Sequence, residues 1–226
     1  MTARLVVSPH PDDAVWSLGG CLARWRHAGD PVTVLTVFDG PPSGPVAGWR
    51  QVAEPAVRHE ENRRALTTVD VLGASVGLPD AALRTGDRGP RYPRLLSLFT
   101  RPNPDDAALP GAIAATIRAH LAPGAALYAP LAAGNHVDHQ LVRAAVETDP
   151  VLRARATWYE DIPYRLGPRD TTGLHPRHEP VDLSAWLTAA ACYESQADAL
   201  LGGVPQLRAT LTERAADHGG AVRLWT

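Results

Sequence analysis

Arg4-Leu5-Val6-Val7-Ser8-Pro9-His10-Pro11-Asp12-Asp13 opens the chain with a short apolar run, a proline-bounded loop and an acidic pair. Three consecutive aliphatic residues suit a strand buried on both faces, and Asp12 or Asp13 can cap a helix running to about residue 27. Residues 31–38 are nearly continuous in Val, Thr and Leu and end at Asp39-Gly40, so a second buried strand follows the helix. Strand, helix, strand is the start of a parallel sheet.

Outward from there, a Pro/Gly-rich stretch at 41–48 precedes a long polar helix over 49–71, with Pro55 either kinking it or delaying its start. A third strand is predicted at 74–78, and a long loop at 85–106 holds Pro90, Pro93, Pro102 and Pro104. Then come a helix at 107–121, a strand at 125–130, a helix at 137–147 whose start is marked by Asn135, and a strand at 157–162. A polar loop at 163–180 leads to helices at 183–201 and 206–217 and a closing apolar segment at 222–225. Strands alternating with helices imply right-handed crossovers. The expected fold is α/β, a Rossmann-like three-layer sandwich with a mostly parallel central sheet, whose ligands bind beyond the carboxyl ends of the strands. No repeat or linker divides the 226 residues, which are read as one domain over 1–226.

Composition narrows the functions. Every one of the 22 basic residues is arginine, which excludes a Schiff-base lysine, a covalent pyridoxal phosphate anchor and a phosphate-loop lysine. A formal net charge of -2 gives no basic surface for nucleic acid or anionic membranes. Cys21 and Cys192 are far apart in sequence, and residues 1–4 lead straight into a strand without a leader pattern. A cytoplasmic protein that neither is exported nor spans a membrane is the expectation.

Two motifs carry chemistry. Ser8 to Asp13 places one imidazole and two carboxylates at a strand end, and His10 and Asp13 can supply two zinc ligands. Asn135-His136-Val137-Asp138-His139 follows another strand and puts two histidines three apart on one helical face. His139 can complete the triad, leaving His136 toward the substrate and Asp138 to orient an imidazole. Read singly, either motif is equally a helix cap or a pair of surface histidines. Read together, they bring both strand ends to one crevice. His175-Pro176-Arg177-His178 is discounted as a metal pair because its proline-rich loop lacks helical spacing and Arg177 opposes a cation. Gly19-Gly20 lacks the rest of a dinucleotide fingerprint and is read as permitting close packing of helix on sheet.

His10-Pro11-Asp12-Asp13 with a later His136-Val137-Asp138-His139 resembles the LmbE/PIG-L-like deacetylases, which include metal-dependent deacetylases of N-acetylglucosamine conjugates and of antibiotic precursors. Weaker similarity extends over Arg58-His59-Glu60-Glu61, Leu78-Pro79-Asp80, Tyr159-Glu160-Asp161 and Tyr193-Glu194-Ser195-Gln196. Ala14 departs from the commonest motif, which has Glu there. The resemblance implies removal of an N-acetyl group from an amino sugar or related small molecule in natural-product assembly, and contact of Arg58 and Asp80 with polar groups of the substrate. The plain alternatives for those two residues are a helix-surface ion pair and a turn cap. Zinc or another divalent cation is expected on His10, Asp13 and His139, with Asp12 as base, His136 stabilising the oxyanion, and Asp12 or His136 protonating the leaving amine. The expected partner is a small acetylated amine; many relatives associate, so a homo-oligomer is carried as an open expectation. Two rivals are an amidase for another small amide such as a thiol conjugate, and a non-catalytic Rossmann-like domain binding a nucleotide or sugar. Specificity is assigned to the loops at 40–50, 85–106 and 163–181.

Overall fold

Why the first strands read as unbroken apolar runs is visible in which way their side chains point. The computed structural model describes residues 1–44, 48–164 and 171–226. In β1 (Arg4–Ser8) and β2 (Val32–Thr36), Val6, Val32 and Val34 face one core while Leu5, Val7 and Leu35 face another, so both sides of the sheet are covered. Against the first side pack α1 (Asp13–His27), α2 (Pro55–Thr68) and α6 (Leu183–Ala190), followed by α7 (Glu194–Leu201) and α8 (Val204–Asp217). Against the second pack α3 (Leu109–His120) and α4 (Val137–Thr148), with the short α5 (Pro150–Arg153). This is the three-layer arrangement expected.

The remaining strands are β3 (Leu72–Ser75), β6 (Ala126–Pro130), β7 (Ala156–Tyr159), β8 (Pro176–Pro180) and β9 (Ala221–Trp225), apart from a small hairpin of β4 (Thr85–Gly86) and β5 (Gly89–Pro90). The seven-stranded order is β3-β2-β1-β6-β7-β9-β8. All pairs from β3 to β7 are parallel, and β9 runs antiparallel to both β7 and β8. The chain winds from β1 outward to β3, then returns to place β6 on the other side of β1. That reversal opens a crevice between the carboxyl ends of β1 and β6, where both histidine motifs emerge.

Several boundaries differ from the sequence reading for physical reasons. Pro55 sits in the first turn of α2 and so delays its start; residues 48–53 form a separate 3-10 helix. The third strand is Leu72–Ser75 and lies earlier than predicted. Residues 76–79 look strand-like because Val76 and Leu78 still donate to Thr36 and Val37, and Gly40 bridges Pro79. The segment 85–106 is not a bare loop: it holds β4, β5 and 3-10 turns at Leu95–Phe99 and Pro104–Asp106. Within the polar loop of 163–180, Pro176–Pro180 is a strand. It has two prolines and no β-branched residue, a composition tolerated because it pairs on one side only, at the sheet edge. The predicted helix over 183–201 is two helices. The break has no Gly or Pro; instead Tyr193 donates to Pro11 O and Asn62 Oδ1 (3.0 and 2.8 Å), and Glu61 accepts from Ser195 N and Oγ (2.8 and 2.7 Å). Contacts distant in sequence stop one helix and start the next.

Gly19 and Gly20 permit close packing, but of helix on helix and loop rather than helix on sheet. A Cβ at Gly19 would meet Trp186 Cδ1 at 2.6 Å, and one at Gly20 would meet Val181 Cβ at 2.6 Å. Trp186 is fully buried and its indole N–H donates to Val15 O at 2.8 Å, so it has nowhere to retreat. Gly19→Leu is therefore expected to destabilise the fold by about 1–3 kcal/mol, with a thermal midpoint lowered by roughly 2–4 °C per kcal/mol. An unchanged midpoint in a melting experiment would contradict the tight α1–α6 contact.

Candidate functional site

The loop after β1 folds back on itself before α1 begins. Ser8 Oγ donates to His10 O at 2.5 Å and accepts from Ala14 N, and the His10 N–H donates to Asp13 Oδ2 at 2.8 Å. Asp12 and Asp13 thus sit at the positive end of α1 with their carboxylates turned into the crevice. Ala14 is fully buried, where a Glu would need a partner.

After β6 the backbone is forced through a tight turn. Ala132 and Asn135 take positive φ (59° and 60°) and Gly134 takes 77°, a left-handed run that only Gly adopts without cost. The turn delivers His136, rather than Asn135, as the cap of α4, its Nδ1 accepting the Asp138 N–H at 3.3 Å. Holding Nδ1 as an acceptor leaves the proton of neutral His136 on Nε2. Burial, reinforced by His10, holds its pKa down at about 3, so the ring is neutral and Nε2 is a donor.

His10 and His139 are held the opposite way round from one another. His10 Nε2 lies 3.0 Å from Asp138 Oδ2, which leaves Nδ1 facing Asp13 Oδ2 at 3.2 Å. His139 Nδ1 lies 2.5 Å from Asp161 Oδ1, which leaves Nε2 facing the same Asp13 Oδ2 at 3.2 Å. His139 Nε2 is buried and makes no hydrogen bond. Burial opposes the imidazolium at both rings but is outweighed at His10 by Asp80, Asp13 and Asp138, raising its pKa to about 9, and at His139 by Asp13 and Asp161, raising it well above the ordinary range. Asp13 is held low because the two imidazoles outweigh its burial. Two imidazole nitrogens converging on one carboxylate oxygen, with one of the nitrogens making no hydrogen bond, is a donor set that a borderline-soft divalent cation fits.

The ligating nitrogens of His10, His136 and His139 also lie within 4.8 Å of one another. The cap on His136 Nδ1 argues against that ring as a ligand. Metal binding at Nε2 would move its proton to Nδ1, against the Asp138 N–H. Charge around the site also favours a cation: among the described residues Asp12, Asp13, Asp80, Asp138 and Asp161 are all buried there, against the buried guanidinium groups of Arg58 and Arg84.

Arg58, on α2, is itself buried and so is no surface ion pair: it donates to Asp12 Oδ1 at 2.8 Å and to Asp80 Oδ2 at 3.1 Å. Both counter-charges outweigh its desolvation and hold it protonated. Asp80 is a turn cap, accepting from Ala82 N at 2.8 Å, and a pocket residue at once. Asp138 turns to His10 and to Arg84, whose Nη2 lies 2.7 Å from Asp138 Oδ1. Arg84 reaches Asp106 at 3.2 Å, and Asp106 also takes Tyr92 OH (2.7 Å) and Arg91. Sequence reasoning missed Asp161 as an individual residue, and Arg84, Asp106 and Tyr164. Only Asp161 had a signal, its place in the Tyr159-Glu160-Asp161 match near the end of a predicted strand. His175 and His178 lie away from this site: His178 is on the edge strand β8, its ring 5.3 Å from that of His218.

The pattern of the PIG-L family, GlcNAc-PI de-N-acetylase, matches residues 5–148. A 2'-N-acetylparomamine deacetylase of Streptomyces fradiae is 38% identical over 179 residues, covering 75% of this chain and 60% of that protein. A 1D-myo-inositol 2-acetamido-2-deoxy-alpha-D-glucopyranoside deacetylase of Nocardia farcinica is 31% identical over 172 residues, covering 70% and 54%. The chain therefore spans less than two thirds of either relative. Among solved structures, a deacetylase of the teicoplanin pathway superposes with a TM-score of 0.83 at 25% identity, covering 99% of this chain and 97% of its own. The zinc-inhibited form of a teicoplanin deacetylase gives 0.81 at 24% identity with the same coverage and speaks to the fold.

Proposed function

The chain belongs to the PIG-L family, and on that premise we propose that it is a metal-dependent N-deacetylase that releases acetate from an N-acetylated amino sugar or related small amine. The observation that carries the reading is the buried Nε2 of His139, which makes no hydrogen bond and faces the Asp13 carboxylate beside His10 Nδ1. Those three side chains would hold the cation. When bound there, zinc or another divalent cation supplies Lewis acidity to the reaction.

The protein's own groups do the rest. Arg58 pins one oxygen of Asp12, so the carboxylate is aimed and its second oxygen takes a proton from the attacking water. His136 offers its Nε2–H to the oxyanion that develops on the acetamide carbonyl, the neutral ring carrying its proton there because Nδ1 is held as an acceptor. Asp12 then passes the proton it took from water to the departing nitrogen as the C–N bond breaks, giving acetate and a primary amine; His136, held neutral with Nδ1 as an acceptor, has no acidic proton to give up, so the part of acid falls to Asp12 alone. Asp138 and Asp161 fix the rings of His10 and His139, and Asp80 and Arg58 line the pocket where the substrate's polar groups would lie. No helix among the described residues is long and apolar enough to cross a membrane.

The test is amine release from a panel of N-acetyl amino sugars by protein stripped with chelator and then titrated with zinc, cobalt or manganese. Release that requires about one equivalent of cation is the expected result. Cation-independent inertness would favour a sugar-binding domain instead, and preference for other acyl amides would favour the thiol-conjugate class.

A further inference from the structure

Half-exposed aliphatic side chains scattered singly over a surface need no explanation, but a group of them converging on one cavity does. Leu95, Phe99 and Leu200 are 52%, 38% and 49% exposed, and all three line the pocket that holds His10, Asp12, Asp13 and His136. Trp49, Leu98 and Tyr164 complete the wall around them. Among the described residues lining this pocket, every ionisable group save Tyr164 lies in the floor, where His10, Asp12, Asp13, Arg58, Asp80 and His136 are; the mouth adds only Gln196 as a polar amide. The cavity has two chemistries, a charged floor and an apolar mouth.

The apolar wall is fixed in place. Its central piece is the 3-10 turn Leu95–Phe99, entered from Tyr92, Pro93 and Arg94. Arg50 donates to the carbonyls of Tyr92 and Pro93, both at 3.2 Å, and Tyr92 OH donates to the buried Asp106. Downstream, Gln140 of α4 donates to Thr100 O at 2.7 Å. The turn is held at both ends by groups that reach back to the core. Keeping leucine and phenylalanine in water at fixed positions is unfavourable unless something covers them, and a preformed apolar wall lowers the ordering cost of binding.

We propose that this mouth is a subsite for an apolar aglycone: resting on the deacetylase reading above, the substrate is an N-acetyl amino sugar whose anomeric substituent is aromatic or aliphatic, and not a small polyamine sugar. Among the described residues, a polycationic acceptor of the kind named for the Streptomyces fradiae relative would find no carboxylate at this mouth outside the floor, where Asp12 and Asp80 are engaged by Arg58 and Asp13 by two imidazoles.

The experiment compares matched ligands on the metal-loaded protein. Turnover is measured for the benzyl and methyl glycosides of N-acetylglucosamine and for 2'-N-acetylparomamine. Affinity is measured by calorimetry for the benzyl and methyl glycosides of glucosamine, the product amines, which need no reaction. The expected result is a benzyl-to-methyl ratio of roughly tenfold or more in both kcat/KM and affinity, carried mainly by KM. In Leu95→Asn with Leu200→Asn, whose side chains are half in water and do not hold the core, both ratios should fall toward unity. Equal affinities in the native protein, ratios untouched by the double variant, or preference for the paromamine derivative would overturn the subsite. Tighter binding of the benzyl product with no turnover of any glycoside would uphold the subsite and overturn the deacetylase reading.

Discussion

Asp12→Asn is expected to lower kcat by about 10²–10⁴-fold, with KM and bound metal close to those of the native protein. The substitution keeps the shape of the side chain, and the amide oxygen still accepts from Arg58, whose second partner Asp80 is untouched. What it removes is the capacity to take a proton. Asp12 is distinguished from the other carboxylates by what it is not doing: Asp13 faces both imidazole nitrogens, Asp138 holds His10 and Arg84, and Asp161 holds His139. The measurement is steady-state amine release together with metal content by mass spectrometry. A rate within about threefold of native at full metal occupancy would assign the base elsewhere. Loss of metal together with rate would instead put Asp12 among the ligands. A melting scan separates either result from misfolding, since Arg58 would lose part of its compensation.

How much of this was legible beforehand follows from the range over which each signal acts. The β1 and β2 runs and the loop that follows each could be read locally, because burial on both faces leaves an unbroken aliphatic string and proline or glycine ends it. The two motifs were legible as residue types, and their meeting followed from parallel topology rather than from either stretch alone. What could not be read was set by distant partners. The break at Tyr193 depends on Pro11, Asn62 and Glu61; the strand status of Pro176–Pro180 depends on β9; the burial of Arg58 depends on Asp12 and Asp80 meeting it from two other loops. Arg84 is one arginine among many in sequence and acquires significance only from Asp138 and Asp106. The loop expected at 40–50 includes residues 45–47, and the loop expected at 163–181 includes residues 165–170; both stretches lie outside the described residues.

Asp161→Asn is the second substitution with a large expected effect, and it acts on metal affinity before rate. The Asp161 carboxylate has two tasks: Oδ1 accepts from His139 Nδ1 at 2.5 Å, and Oδ2 accepts from the Ala133 N–H at 3.1 Å. The first fixes the imidazole as the tautomer whose Nε2 lone pair is free, and the second ties the strand-to-helix turn that carries His136. An asparagine has one acceptor and one donor where the site needs two acceptors. Either the amide NH2 meets the Ala133 N–H, leaving a buried donor unpaired, or it meets His139 and drives the ring toward the opposite tautomer, whose Nε2 carries the proton. Loss of the carboxylate charge also weakens the ring as a donor. Metal affinity should fall by about 10–100-fold, read from competition with a chromophoric chelator, and the thermal midpoint of the metal-free protein should fall with it by an amount set by roughly 1–3 kcal/mol. At saturating metal much of the rate should return, which separates this residue from Asp12, whose loss no amount of metal restores. Native affinity in Asp161→Asn would show that His139 is oriented by the turn alone, and the part given to Asp161 would then pass to the strained backbone at Ala132 to Asn135.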